Sequence, residues 1–136
     1  MKYALFGNVK DVNIPFERDD VAPDIVFSFG GDGTMLGAIH KYKNYLDTVK
    51  FVGINTGRLG FFTDFKIDEL DKVISMIKKD EYRVNSYNLL EYILKSKDYE
   101  LSGYAVNDIA ITNPIHTQII DVYINEKHFE TFRGTG

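Results

Sequence analysis

Asp24-Ile25-Val26-Phe27-Ser28-Phe29-Gly30-Gly31-Asp32-Gly33-Thr34 runs from a continuous β-branched and aromatic stretch straight into a glycine turn. An apolar run of this length, ended by glycines, predicts a buried strand. Met35, Leu36, Ile39 and Tyr42 then share one helical face, so residues 34–44 read as a short amphipathic helix opening at the turn. Upstream, Tyr3-Ala4-Leu5-Phe6 is a second strand candidate. The stretch between them, 7–23, holds Pro15 and Pro23 and shows only a brief alternation at Val12, Ile14 and Phe16. It predicts an irregular crossover in place of a helix. Downstream, Lys50-Phe51-Val52-Gly53-Ile54 reads as the next strand, and Leu70, Val73, Ile74 and Ile77 recur at helical spacing behind Asp68, the expected N-cap. Alternating strands and helices up to about residue 80 predict an α/β fold with an open, mainly parallel sheet.

The pattern then changes. Residues 82–95, 99–112, 118–125 and 127–133 are β-rich and separated by short polar turns, which predicts antiparallel hairpins. Two domains are expected: an α/β domain over 1–84 that carries the glycine turn, and over 85–136 the first antiparallel strands of a β-rich, sandwich-like domain. About 50 residues of strand with a long apolar face would be marginal alone. The expectation is that the second domain is incomplete here.

Composition narrows the function. Sixteen Lys and Arg stand against 20 Asp and Glu, so no basic stripe favours nucleic acid or an anionic membrane surface. No run approaches the ~18 apolar residues of a membrane helix. Cysteine is absent, which removes disulfides, thiolate metal sites and thiol nucleophiles, and fits a cytoplasmic location. His40, His116 and His128 are too scattered for a metal site, so no protein-held metal is expected.

The chemistry concentrates at two turns. Gly30-Gly31-Asp32-Gly33-Thr34 sits between a strand and a helix, at the edge where open α/β sheets bind ligands. Glycines let backbone N–H groups approach phosphate oxygens, and the helix N-terminus adds donors and positive potential. Asp32 there suits a base taking a proton from an attacking hydroxyl, or a ligand of phosphate-bound magnesium; a bland alternative is that it caps the helix. The turn is neither a Walker A loop nor the six-position dinucleotide fingerprint. The second turn is Gly53-Ile54-Asn55-Thr56-Gly57-Arg58-Leu59-Gly60-Phe61-Phe62. Asn55 can serve a sugar or base, Arg58 a phosphate, and Phe61 or Phe62 a ring; equally, the phenylalanines can be core anchors.

These two segments together resemble the signature pair of the NAD kinases, most closely the bacterial type. Ala105-Val106-Asn107-Asp108 is similar to the family's Asn-Glu/Asp motif, and Phe132-Arg133-Gly134-Thr135-Gly136 to the segment leading into its C-terminal nucleotide-binding stretch. The resemblance covers 24–136. It implies phosphoryl transfer from ATP, or from polyphosphate, to the 2'-hydroxyl of the adenosine ribose of NAD, giving NADP, with Mg2+ accompanying ATP. It implies that Asp32 is the general base, that Gly31, Gly33 and Thr34 line the phosphate side, that Asn107 and Asp108 hold the NAD ribose, and that Phe61 lies against the dinucleotide. Thr135 departs from the family's usual Asp, and the family's adenine-binding stretch would follow residue 136, so this stretch by itself is not expected to be a competent enzyme. The alternatives are a lipid kinase of the diacylglycerol or sphingosine type, which shares the first motif, and a non-catalytic nucleotide-binding module. Unpaired strand edges in the β-rich part predict a homo-oligomer, dimer or tetramer.

Overall fold

A parallel strand covered on both faces needs apolar side chains on both, and Ile25–Phe29 is buried at every position. The computed structural model describes residues 1–9, 12–57 and 60–135. The chain divides into two compact units, 1–86 and 87–136. In the first unit β1 (Lys2–Gly7), β2 (Glu17–Arg18), β3 (Ile25–Phe29), β4 (Lys50–Asn55) and β5 (Phe65–Lys66) form one sheet in the order β2-β1-β3-β4-β5. Every pairing is parallel. The open parallel sheet expected from the sequence is therefore present, with β2 as a two-residue edge strand that the sequence pattern did not announce.

Alternation along β3 divides the core. Ile25, Phe27 and Phe29 face a cluster with Tyr3, Ile14, Ile54 and the helix α2 (Leu70–Lys78), which contributes Leu70, Val73, Ile74 and Ile77. Val26 faces the other side, with Ala4, Val49, and Ala38 and Tyr42 from the helix α1 (Asp32–Lys41) and its C-cap. The result is three layers, helix on sheet on helix. Burying a side chain such as Phe27 in such a layer stabilises by about 1.5–3 kcal/mol. Among the described residues between β1 and β2 there is no helix; Val12, Ile14 and Phe16 pack against the cluster on the α2 face of the sheet. The irregular crossover thus uses its short alternation as the packing surface that a helix would otherwise provide.

Three local expectations need correction. Helix α1 begins at Asp32, two residues before the predicted start, and its buried positions are Met35 and Ala38, with Leu36 and Ile39 only half-buried. Asp68 does not cap α2. It lies inside a 3-10 turn, Ile67–Glu69, where the Glu69 carboxylate accepts from the Lys66 N–H at 3.0 Å, so the reach-back comes from the neighbouring acid. The β segments predicted over 82–95 and 99–112 are shorter: β6 (Leu90–Lys95) pairs with β7 (Glu100–Ala105), and residues 82–89 and 106–112 carry no strand. β-branched and aromatic content alone makes no strand where no ladder partner is within reach.

The second unit's other hairpin, β8 (Gln118–Ile124) with β9 (Lys127–Gly134), turns through Asn125 and Glu126, both at positive φ (50° and 64°). That is the primed geometry whose twist suits a two-residue hairpin. Its ladder shifts register between Val122 and Tyr123, and Ile119, Ile124 and Phe129 are exposed.

Candidate functional site

The strand order reverses between β1 and β3, because the chain leaves β1 toward β2 and then returns to β1's other side. In open α/β sheets the carboxyl edge at such a switch point is where ligands bind. Gly7 ends β1 there, and Gly30 follows β3. Gly7 has φ of 99° and lies so close to the Phe29 carbonyl and the Thr34 methyl that no side chain fits. Gly30 donates to the Ile54 carbonyl at 3.0 Å, tying the first turn to β4. The β1 end was absent from the sequence-based site. The signal was the Gly7-Asn8 pair ending a strand, too common to single out alone.

Gly31 is the N-cap of α1, with extended backbone (φ −99°, ψ −165°) and no side-chain cap bond. Its carbonyl accepts from Thr34 and Met35 N–H groups at 3.0 and 3.2 Å. A Cβ built on Gly31 or on Gly33 would meet nothing within 4 Å. The fold itself therefore does not require glycine at either place, and the turn opens a helix whose first N–H groups lack intrahelical carbonyl partners. Thr34 turns inward, its side chain lying over Gly7 and Gly30.

Asp32 does not cap its own helix. Its Oδ2 accepts from the Phe61 N–H and its Oδ1 from the Phe62 N–H, both at 2.8 Å and 29 to 30 residues away. First the Phe61 bond and then the Phe62 bond hold the carboxyl below the usual carboxylate range, while its partial desolvation opposes them. Its negative charge also sits favourably in the first turn of α1.

The second turn is braced from inside. Asn55 is buried; its Oδ1 accepts from Gly57 N–H at 2.7 Å, and its Nδ2 donates to Thr63 Oγ1 at 2.9 Å. Thr63, also buried, accepts again from Gly60 N–H at 3.2 Å. The carboxamide that the sequence reading offered to a nucleotide is thus engaged in shaping the loop. Thr63 was missed, since nothing in its spacing distinguishes a brace from a solvated hydroxyl. Phe61 is 91% exposed and meets Phe62 edge-on, centroids 6.0 Å apart. Phe61 is therefore no core anchor. Arg58 lies outside the described residues. Asn107 and Asp108 are exposed just after β7, in the second unit.

Among the described residues no group of three His, Cys, Asp or Glu is placed to hold a metal ion. No helix among them is long and apolar enough to cross a membrane. A depression of about 290 Å³ between the crossover and α2, lined by Asn13, Pro15, Asp71, Ile74, Ser75 and Lys78, involves neither glycine turn.

Sheet order and paired turns together define a doubly wound α/β protein whose carboxyl edge offers a helix N-terminus, a carboxylate and an exposed ring. The family model described as ATP-NAD kinase N-terminal domain matches residues 10–82, and the chain belongs to that family. It is 43% identical over 122 residues to NAD kinase 1 of Listeria monocytogenes, covering 88% of this chain and 46% of the relative. It is 42% identical over 139 residues to the NAD kinase of Staphylococcus epidermidis, covering all of this chain and 51% of the relative. The chain spans about half the length of these curated relatives. Among solved structures, yeast NADH kinase complexed with NADH superposes with a TM-score of 0.74 at 26% identity, over 82% of this chain and 34% of that one.

Proposed function

We propose that the protein carrying this chain is an NAD kinase, transferring a phosphoryl group from ATP, or polyphosphate, to the 2'-hydroxyl of the adenosine ribose of NAD to give NADP. The observation that carries this reading is the junction of the two turns: Gly31 and Gly33 keep open space over the start of α1, while Asp32 reaches across to the turn presenting Phe61. Family membership and the named relatives support it. Residues 1–84 act as the nucleotide-binding domain, and 85–136 belong to a β-rich NAD-binding domain.

A ribose hydroxyl is a poor nucleophile, so positioning, a carboxylate base and stabilised phosphate charge are what the site must supply. Asp32 holds two N–H groups yet retains a lone pair on each oxygen for the hydroxyl. Its lowered basicity weakens the pull on the proton, leaving positioning a larger share of the work. Gly31 and Gly33, with the N–H groups of the first turn, receive phosphate oxygens; Thr34 sets the turn's shape. Phe61 lies against a dinucleotide ring, Asn55 shapes that loop, Arg58 meets a phosphate, and Asn107 and Asp108 hold the ribose. With the remaining Asp32 lone pairs assigned to the hydroxyl, no other carboxylate among the described residues of the two turns is assigned to magnesium. Mg2+ enters with the triphosphate. The enzyme is cytoplasmic and a dimer or tetramer.

The test is NADP formation from NAD with ATP or polyphosphate and magnesium, in the complete polypeptide carrying this sequence. Asp32→Asn should lower kcat by about 10²–10⁴-fold, the range of a lost general base. No NADP from either donor, with a folded protein, overturns the reading.

A further inference from the structure

The Asp32 carboxylate is the one described side chain of the first turn bonded to the second, and the corner it holds is the one that carries the exposed ring. Among the described residues, side-chain hydrogen bonds hold residues 60–62 from two sides. One is buried, through Thr63 and Asn55. The other is Asp32, which takes both the Phe61 and Phe62 N–H groups on separate oxygens. Gly60 completes the fit: a Cβ there would lie 2.8 Å from Asp32 Cγ and overlap the carboxylate itself. Without the second attachment the corner could swing about Thr63, and among the described residues the ring contact of Phe61, 91% exposed, is with the edge of Phe62.

We infer that Asp32 is a positioning residue for Phe61, with Gly60 as the notch that admits its carboxylate, so that recognition of a dinucleotide ring depends on the group that faces the phosphoryl acceptor. This rests on the reading of the site given above. An ionised carboxylate accepts on both oxygens; a carboxamide accepts on one and turns an NH2 toward the other N–H, and a longer acid overshoots the notch. The device ties ring binding and hydroxyl orientation to one side chain.

The experiment uses the complete polypeptide carrying this sequence, 15N-labelled, with NAD as the probe, and compares the parent with Asp32→Asn, Gly60→Ala and Phe61→Leu. Loss of a charge-assisted bond should move the Phe61 and Phe62 amide protons upfield in Asp32→Asn and speed their hydrogen exchange about tenfold, with the β3 amides unchanged. Gly60→Ala should give the same signature with Asp32 still in place. Both variants should weaken NAD binding by about tenfold, as loss of one charge-assisted bond would. Phe61→Leu should weaken it alike without disturbing the Phe62 amide, and Asp32→Asn combined with Phe61→Leu should bind no worse than the weaker single variant. Unchanged Phe61 and Phe62 amides in Asp32→Asn, or additive losses in the pair, overturn the positioning role even if the parent binds NAD. A folded parent that shows this amide signature but does not bind NAD overturns the site reading, and with it the ring's task.

Discussion

The two glycine turns look alike in composition, but their glycines answer to different neighbours. In the first, a side chain at Gly31 or Gly33 would enter open space. In the second, a side chain at Gly53 would strike the Phe62 carbonyl, lie 2.9 Å from Thr63 Cα and 3.0 Å from Met35 Cε. At Gly60 it would strike Asp32. Each turn mixes the two cases: Gly30 would strike the Thr34 side chain while Gly31 and Gly33 stand open, and Gly57 stands open while Gly60 meets Asp32. A glycine is thus evidence of a ligand only after its intramolecular neighbours have been shown not to require it.

Substitutions should separate the two cases. The largest effect is expected for Gly53→Val, whose added atoms meet backbone that cannot step aside, destabilising the first unit by about 3 kcal/mol in urea unfolding. A loss below about 1 kcal/mol would break the contrast. Asn55→Ala leaves Thr63 and the Gly57 N–H short of a partner in a buried loop and should cost about 1–3 kcal/mol. Gly33→Ala should go the other way, raising stability by about 0.5–1 kcal/mol because alanine is the better helix former, while ATP binding measured by calorimetry weakens. If binding were unaffected, the open space would have no ligand to explain it.

Acid gives the subtlest reading. Asp19 accepts from Ala22 N–H, the Lys2 ammonium and Val21 N–H, which lower its pKa to about 2; Asp32 is lowered by Phe61 and Phe62. A carboxyl depressed in the folded state stabilises fully above its unfolded value and loses that contribution as pH falls through the folded one. Stability should therefore fall below pH 3.8, continuing to about 2 for Asp19. Asp19→Asn should flatten that part of the urea-midpoint profile and leave the Asp32 part, read from the Phe61 and Phe62 amides, in place. A profile unchanged by Asp19→Asn would count against this assignment.

Much of this was legible along the chain. The run 24–29 and the spacing of Leu70, Val73, Ile74 and Ile77 each led to the element observed, because burial on a sheet or helix face imposes a period on the residues that satisfy it, while the packing role of Val12, Ile14 and Phe16 emerged only in the fold. The two turns were legible as glycine clusters behind strands. Not legible were the Asp32 bonds to residues 61 and 62, the engagement of Asn55 by Thr63, or the place of Gly7 beside Phe29. These are pairings across 8 to 30 residues, and no local period records them.

Sequence alone determined the α/β order, the candidate turns and the absence of thiol chemistry, since each follows from residue type and near-neighbour spacing. Tertiary structure decided which glycines are packed and which stand open, that Asp32 bonds across to the second turn and does not cap its helix, and that Phe61 is exposed. The reason is geometric: sheet order β2-β1-β3-β4-β5 brings the ends of three strands to one edge, and only that convergence lets a carboxylate in one turn meet the amides of another.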